Sequence, residues 1–196
     1  MPSMMIHLLT ARKVYKDATS LFWIGNVAPD AVNTREEKDI THFRTAENRE
    51  EELYKLANKT VLNHSFEEGV LLHLYLDWWW DRQVFNRFTE TYTGDDWFQT
   101  YRHEIAVASS WLFHNTDWSK PVWDSILNCS SEKYGNTPGV KADDLTAFLN
   151  RNYKWHSENN IGSSDIYTPD FIDEFTDMVS SEYSIFIKNV KSNMGA

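Results

Sequence analysis

The sequence predicts an all-α fold, a single-domain multi-helical bundle, and three observations carry that prediction. Apolar residues recur at three- and four-residue spacings along most of the chain. Helix-start signals of the Asn/Ser-x-x-Glu kind stand ahead of two of these runs. No stretch shows the apolar/polar alternation of a half-buried strand. With 196 residues and 41% hydrophobic content, the chain suffices for one ordinary core and is short for two. Residues 1–196 therefore read as one domain.

The first helix is expected over residues 3–16, where Met4, Ile6, His7, Ala11, Val14 and Tyr15 keep helical spacing and put His7 on the buried side. In the turn that follows, Pro29 should hold Ala28 extended and present Asp30. Residues 33–47 are polar and read as a loop, with His42 pinned inward by Ile40 and Phe43. Asn48 and Glu51 form a capping box before a helix over 53–62, and Ser65 and Glu68 form a second before a helix running to about residue 92. Thr93-Gly94-Asp95-Asp96 breaks it, and Asp95 or Asp96 can cap the next helix, over 97–113. Shorter signals give helices over 119–127, with Pro121 in the first turn, and 143–155. Thr168 ahead of Pro169 caps a last helix over 169–190.

Composition excludes several function classes. There are 29 acidic and 19 basic residues, a net charge of −10, so nucleic acid is not an expected partner. The single cysteine, Cys129, precludes an intrachain disulfide and a thiolate metal cluster, leaving any metal to His, Asp and Glu. The N-terminus lacks the basic start and apolar core of a secretory signal, and no apolar run has transmembrane length, so a cytoplasmic protein is expected.

The chemistry concentrates before residue 80. His73 and Asp77, four apart in an apolar helix, leave the same face and can reach one ion. An ionised Asp among leucines and tryptophans needs a partner, and two readings compete: a satisfied His73–Asp77 hydrogen bond or a metal site between helices. His7, Asp30 and His42 occupy similarly hydrophobic or proline-fixed contexts. Such a nitrogen and oxygen set suits zinc, with manganese or iron as competitors. Gly69, one turn before His73, leaves room for a backbone or a substrate. The Trp78-Trp79-Trp80 run spans too much of the helix circumference for all three rings to face one core, so two readings stand: at least one ring lines a substrate mouth, or the rings pack against different neighbouring helices. The di-iron Glu-x-x-His signature, the His-Glu-x-x-His zincin helix and the adjacent His-Asp dipeptide are all missing.

Taken in order, His7, Ala28-Pro29-Asp30, Thr41-His42-Phe43 and His73-x-x-x-Asp77 resemble the zinc-dependent phospholipase C family, which includes single-strand-specific nucleases. The resemblance covers about the first half of the chain. It implies an all-helical domain with a zinc cluster that hydrolyses phosphate esters. Asp30, His42, His73 and Asp77 would surround one ion, and His7 with the bridging Asp77 would hold a neighbour. Asp30 would also orient or deprotonate the attacking water, making it the catalytic residue. The chain departs from the pattern after Asp77: Gln83 stands where a later His is expected, and His103 is followed four residues on by Val107. Asp81, His103 and Glu104 are the candidates for a second metal or for substrate contact. One or two ions are expected rather than three. The substrate would be a phospholipid headgroup or a small phosphate ester. The alternative is a non-catalytic helical protein that binds a metal or another ligand.

Overall fold

The computed structural model describes residues 1–194, and among them there is no strand. In chain order the helices are α1 (Met4–Val14), α2 (Ser20–Gly25), α3 (Arg35–Thr41), α4 (Arg49–Ala57), α5 (Phe66–Trp80), α6 (Asn86–Thr91), α7 (Trp97–Asn115), α8 (Ser119–Leu127), α9 (Ala142–Glu158) and α10 (Pro169–Met194). Short 3-10 turns lie at Ala28–Ala31 and Ser131–Lys133.

Helix α5 is apolar around almost its whole circumference, which requires a central place in the bundle. It is surrounded accordingly by α1, α2, α4 and α10, while α7, α8 and α9 extend the core from α1 and α2. Ser65 caps α5 by accepting from the Glu68 amide at 3.1 Å. The Glu68 carboxylate reaches one residue further back than a capping box requires, accepting from the His64 amide at 2.6 Å and from Tyr15 Oη at 2.7 Å. This buried Glu68 thereby ties the end of α1 to the start of α5.

The α2–α5 crossing is a contact between backbones. A Cβ on Gly25 would fall on the Phe66 carbonyl oxygen, and one on Gly69 would meet the Phe22 carbonyl oxygen and the Asn26 amide. The room that Gly69 leaves is therefore taken by backbone, not by a substrate. Only glycine permits that approach at either position.

Several local features differ from the sequence reading. Residues 35–41 form α3 rather than loop, started by a full Thr34/Glu37 capping box. The charged composition hid a helix whose start signal was present. Ala28 opens a 3-10 turn instead of an extended segment, with the Asp30 amide bonded to the Val27 carbonyl at 3.3 Å. The helix expected to continue to residue 92 does so through a π-turn at Asp81–Phe85 that joins α5 to α6. Such turns insert a residue into the helical register and often accompany functional sites. Helix α4 ends at Ala57, and Asp96 precedes α7 without a side-chain cap bond.

Helices α7 and α9 meet around His156, which is buried and shares a hydrogen bond of 2.7 Å between its Nε2 and Ser109 Oγ. Its Nδ1 donates to the Asn152 carbonyl at 2.7 Å, so Nε2 is the acceptor. Burial pushes the His156 pKa down to about 4.

Two predictions follow from this packing. Gly25→Ala or Gly69→Ala should lower unfolding free energy by about 1–3 kcal/mol or more, since neither backbone can yield; an unchanged urea midpoint would show that α2 and α5 are not in contact. As pH falls, the unfolded chain protonates its histidine near 6.5 before the folded chain protonates His156 near 4. Stability should therefore decrease across that window by about 2–3 kcal/mol from His156, and His156→Gln should flatten this part of the pH–melting curve.

Candidate metal centre

Five side chains from four segments converge beside α5. His7 comes from the middle of α1, Asp30 from the 3-10 turn, His42 from the C-terminal cap of α3, and His73 and Asp77 from successive turns of α5. His7, His42, His73 and Asp77 are fully buried, and the Asp30 side chain is 12% exposed. His42 Nε2 lies 3.0 Å from His73 Nε2 and 3.4 Å from both Asp30 Oδ1 and Asp77 Oδ2. His73 Nε2 lies 3.7 Å from Asp30 Oδ1, and His7 Nε2 lies 3.4 Å from Asp77 Oδ1. The His7 and His73 rings stack with centroids 3.9 Å apart. There are two overlapping groups, His7–Asp30–His73 and His42–His73–Asp77, and within each the ligand atoms are close enough to hold an ion.

Backbone carbonyls decide the histidine tautomers. His42 Nδ1 is 2.8 Å from the Lys38 carbonyl, and His73 Nδ1 is 2.8 Å from the Asn26 carbonyl. A carbonyl can only accept, so both Nδ1 atoms carry the hydrogen and both Nε2 atoms point lone pairs into the cluster. Two lone pairs 3.0 Å apart repel unless a positive species, a proton or a metal ion, lies between or beside them. Fixing the outer ring nitrogen on a carbonyl is also how proteins orient metal-ligating histidines. The hydrogen-bond account leaves further gaps: both His7 nitrogens and Asp77 Oδ1 are buried without a hydrogen-bond partner. Buried polar atoms rarely go unsatisfied, and this donor set fits a divalent ion. The His73–Asp77 hydrogen bond considered from sequence is not formed, since His73 spends its donor on Asn26.

The electrostatics favour ligation. Burial, followed by the neighbouring His7, holds the His73 pKa well below the ordinary histidine range, keeping the ring neutral. Burial alone would raise the Asp77 carboxyl, but the His7 ring, 3.4 Å from its Oδ1, leads the groups that outweigh burial and hold it ionised, well below the usual range. Asp30 behaves in the same way: Lys38 leads the groups that overcome its burial.

Asn26, which the sequence reading did not single out, is the keystone of the support. Its side chain is best satisfied with the amide nitrogen donating to the His7 carbonyl at 2.7 Å and the oxygen accepting from the His73 amide at 3.2 Å. Lys38, Arg44 and Arg49 were also missed. Lys38 Nζ lies 2.8 Å from Asp30 Oδ1, Arg44 Nη2 lies 3.4 Å from Asp77 Oδ2, and Arg49 Nη1 lies 2.8 Å from Asp81 Oδ2. The spacing of Lys38 and His42 was visible, but it acquires meaning only once 35–41 is a helix.

The remaining candidates fall outside the ligand group. Asp81 lies beside it, bound by Arg44 and Arg49. His103 is exposed on α7, and Glu104 accepts from Ser164 Oγ at 2.6 Å. A cavity of about 1100 Å³ opens over Asp30 and Asp81. Lys38, Arg44, Trp97 and Tyr101 are among its walls. None of the three consecutive tryptophans lines it: Trp80 is buried in the core, and Trp78 and Trp79 border a separate hollow beside α10. Trp78 and Trp79 thus pack half-buried against the core, the second of the two readings open to this run.

No family model, curated protein or solved structure matches the chain. No helix among the described residues is long and apolar enough to cross a membrane.

The ligand assignment has a direct test. Protein purified without chelator should carry a divalent metal, and His73→Ala should weaken its binding by more than about 100-fold, beyond the loss typical of an outer support residue. His103→Ala should leave metal content unchanged. Equal losses in the two variants would overturn the assignment. Removing the metal should lower the melting temperature, since an ion at 1,000 times its Kd adds about 4 kcal/mol to the native state.

Proposed function

We propose that this protein is a metal-dependent hydrolase of phosphate esters, working with zinc, or with manganese or iron, in the manner of the zinc-dependent phospholipase C family it resembles. The observation that carries the reading is the junction of two features: five converging nitrogen and oxygen ligands, and a large cavity that reaches the centre through Asp30. Site geometry rather than fold supports it, because helical bundles host many chemistries.

His7, His42, His73, Asp30 and Asp77 would hold the ion. A bound divalent ion supplies Lewis acidity, withdrawing electrons from a phosphoryl oxygen and making nearby water more acidic. Asp30 borders both the ligand group and the cavity, so its carboxylate can accept a hydrogen bond from an attacking water and aim it. Lys38 beside it keeps the carboxyl ionised, which suits aiming water better than removing its proton. Aromatic walls at Phe85, Trp97, Phe98 and Tyr101 exclude water from one side and offer apolar surface to the rest of the substrate. The substrate is a phospholipid headgroup or a small phosphate ester, and the acidic chain disfavours nucleic acid.

One observation favours a second reading. The three histidines and Asp77 are all fully buried, as in a closed structural site. Activity separates the two. Metal-loaded protein should cleave at least one member of a panel of choline and ethanolamine lipids, nucleotides and nitrophenyl phosphate mono- and diesters, with loss on chelation. Asp77→Asn should abolish turnover together with metal, whereas Asp30→Asn should lower kcat by about 10²-fold, further than its metal content falls. Inactivity across the panel in fully loaded protein would leave the structural site standing.

A further inference from the structure

Two side-chain cations occupy the flank of the ligand group that faces the cavity. Arg44 Nη2 lies 3.4 Å from Asp77 Oδ2 and 3.0 Å from Asp81 Oδ2, and Arg44 Nε donates to the same Asp81 oxygen at 3.1 Å. Lys38 Nζ lies 2.8 Å from Asp30 Oδ1. A carboxylate that bridges two ions must offer one oxygen to each. Asp77 turns Oδ1 towards His7 at 3.4 Å, while Oδ2 is shared between His42 and the guanidinium. Asp30 Oδ1 is likewise shared between His42 and the ammonium. The directions in which further metal ions would extend the cluster are therefore taken by fixed positive charges, which repel a second divalent ion. Asp81 is closed as a ligand too, because Arg49 Nη1 joins Arg44 on its Oδ2 at 2.8 Å.

Both cations retain unused donors on the open side. Lys38 and Arg44 line the cavity, and their side chains keep 23% and 25% exposure. Among the described residues Arg44 Nη1 makes no hydrogen bond, its nearest carboxylate being Asp39 at 3.6 Å. An ammonium has three donors and a guanidinium five, so each can hold its aspartate and still donate into the cavity. Arginine suits the oxygens of a tetrahedral phosphoryl group by its planar fork, and lysine suits them as a point charge.

We propose that the centre holds one divalent ion, and that Lys38 and Arg44, standing where further ions would be, form the binding site for the phosphoryl oxygens of the ligand in the cavity. This rests on the metal-centre reading above and adds an ion count and an anion site to it. The charges that a multi-ion cluster would supply come here from the chain itself, one from α3 and one from the segment just after it.

Zinc titration of chelator-treated wild-type protein, followed by calorimetry and elemental analysis, should saturate at one ion per chain. Zinc-loaded protein, freed of excess metal, should then bind inorganic phosphate. Lys38→Met and Arg44→Met should each weaken phosphate binding at least about 10-fold while keeping the single zinc, because each removes a charge-assisted donor and no ligand. Saturation at two or more ions would overturn the inference while leaving the hydrolase reading intact. Unchanged phosphate affinity in both folded variants would also overturn it. No zinc uptake at all would remove both readings together. The stoichiometry needs no variant, so a misfolded substitution cannot shelter the proposal.

Discussion

The structure depends on how closely α2 and α5 approach. Gly25 and Gly69 let two backbones touch where any side chain would collide with a carbonyl, and that contact brings Asn26 to the face of α5 that carries His73. From there the consequences run outward. The Asn26 carbonyl accepts from His73 Nδ1 and turns Nε2 inward. The Asn26 side chain links α1 at His7 to α5 at His73. The 3-10 turn that begins two residues later swings Asp30 over the same spot. Rigid packing of this kind is what holds a ligand set to within fractions of an ångström, and it costs the conformational entropy that glycine brings to the unfolded chain.

The second constraint is electrostatic. Two carboxylates and three imidazoles stand together almost wholly buried, where an uncompensated ionised group costs several kcal/mol. The chain answers with matched cations rather than with burial alone: Lys38 on Asp30, Arg44 on Asp77, and Arg44 with Arg49 on Asp81. These pairs lie on the cavity side, whereas the histidines close the protein side. That polarity separates the atoms suited to hold an ion from those suited to meet a ligand. It also sets Lys38 and Arg44 on the cavity wall in a chain of net charge −10.

Much of this was legible before any coordinates. Apolar periodicity located most of the helices, and the boundaries of 119–127 agree with α8 residue for residue. His7, Asp30, His42, His73 and Asp77 were nominated from hydrophobic or proline-fixed surroundings, and all five lie in one cluster. The failures have physical causes. Helix α3 lacks an apolar stripe, so periodicity could not see it, although its capping box could. Angular spread alone left the three-tryptophan run between a substrate mouth and packing on neighbouring helices, because the neighbours that α5 finds on each face are a matter of tertiary packing. His103 and Glu104 were near enough in type, and α7 turns them to solvent and to Ser164.

The sequence by itself determined the helical class, the imidazole and carboxylate types available before residue 80 and the pairing of His73 with Asp77 on one face, because these follow from residue type and from a repeat of 3.6 residues per turn. Only the tertiary structure decided which distant residues meet, since long-range proximity is set by helix crossings that no local pattern encodes. It chose Asn26 as the support, placed Arg44 and Lys38 against the two carboxylates, and opened the cavity over Asp30 while sealing the histidines. The donor atoms of this centre are written locally in the chain. Their convergence arises because two glycines allow two helices to come within backbone contact.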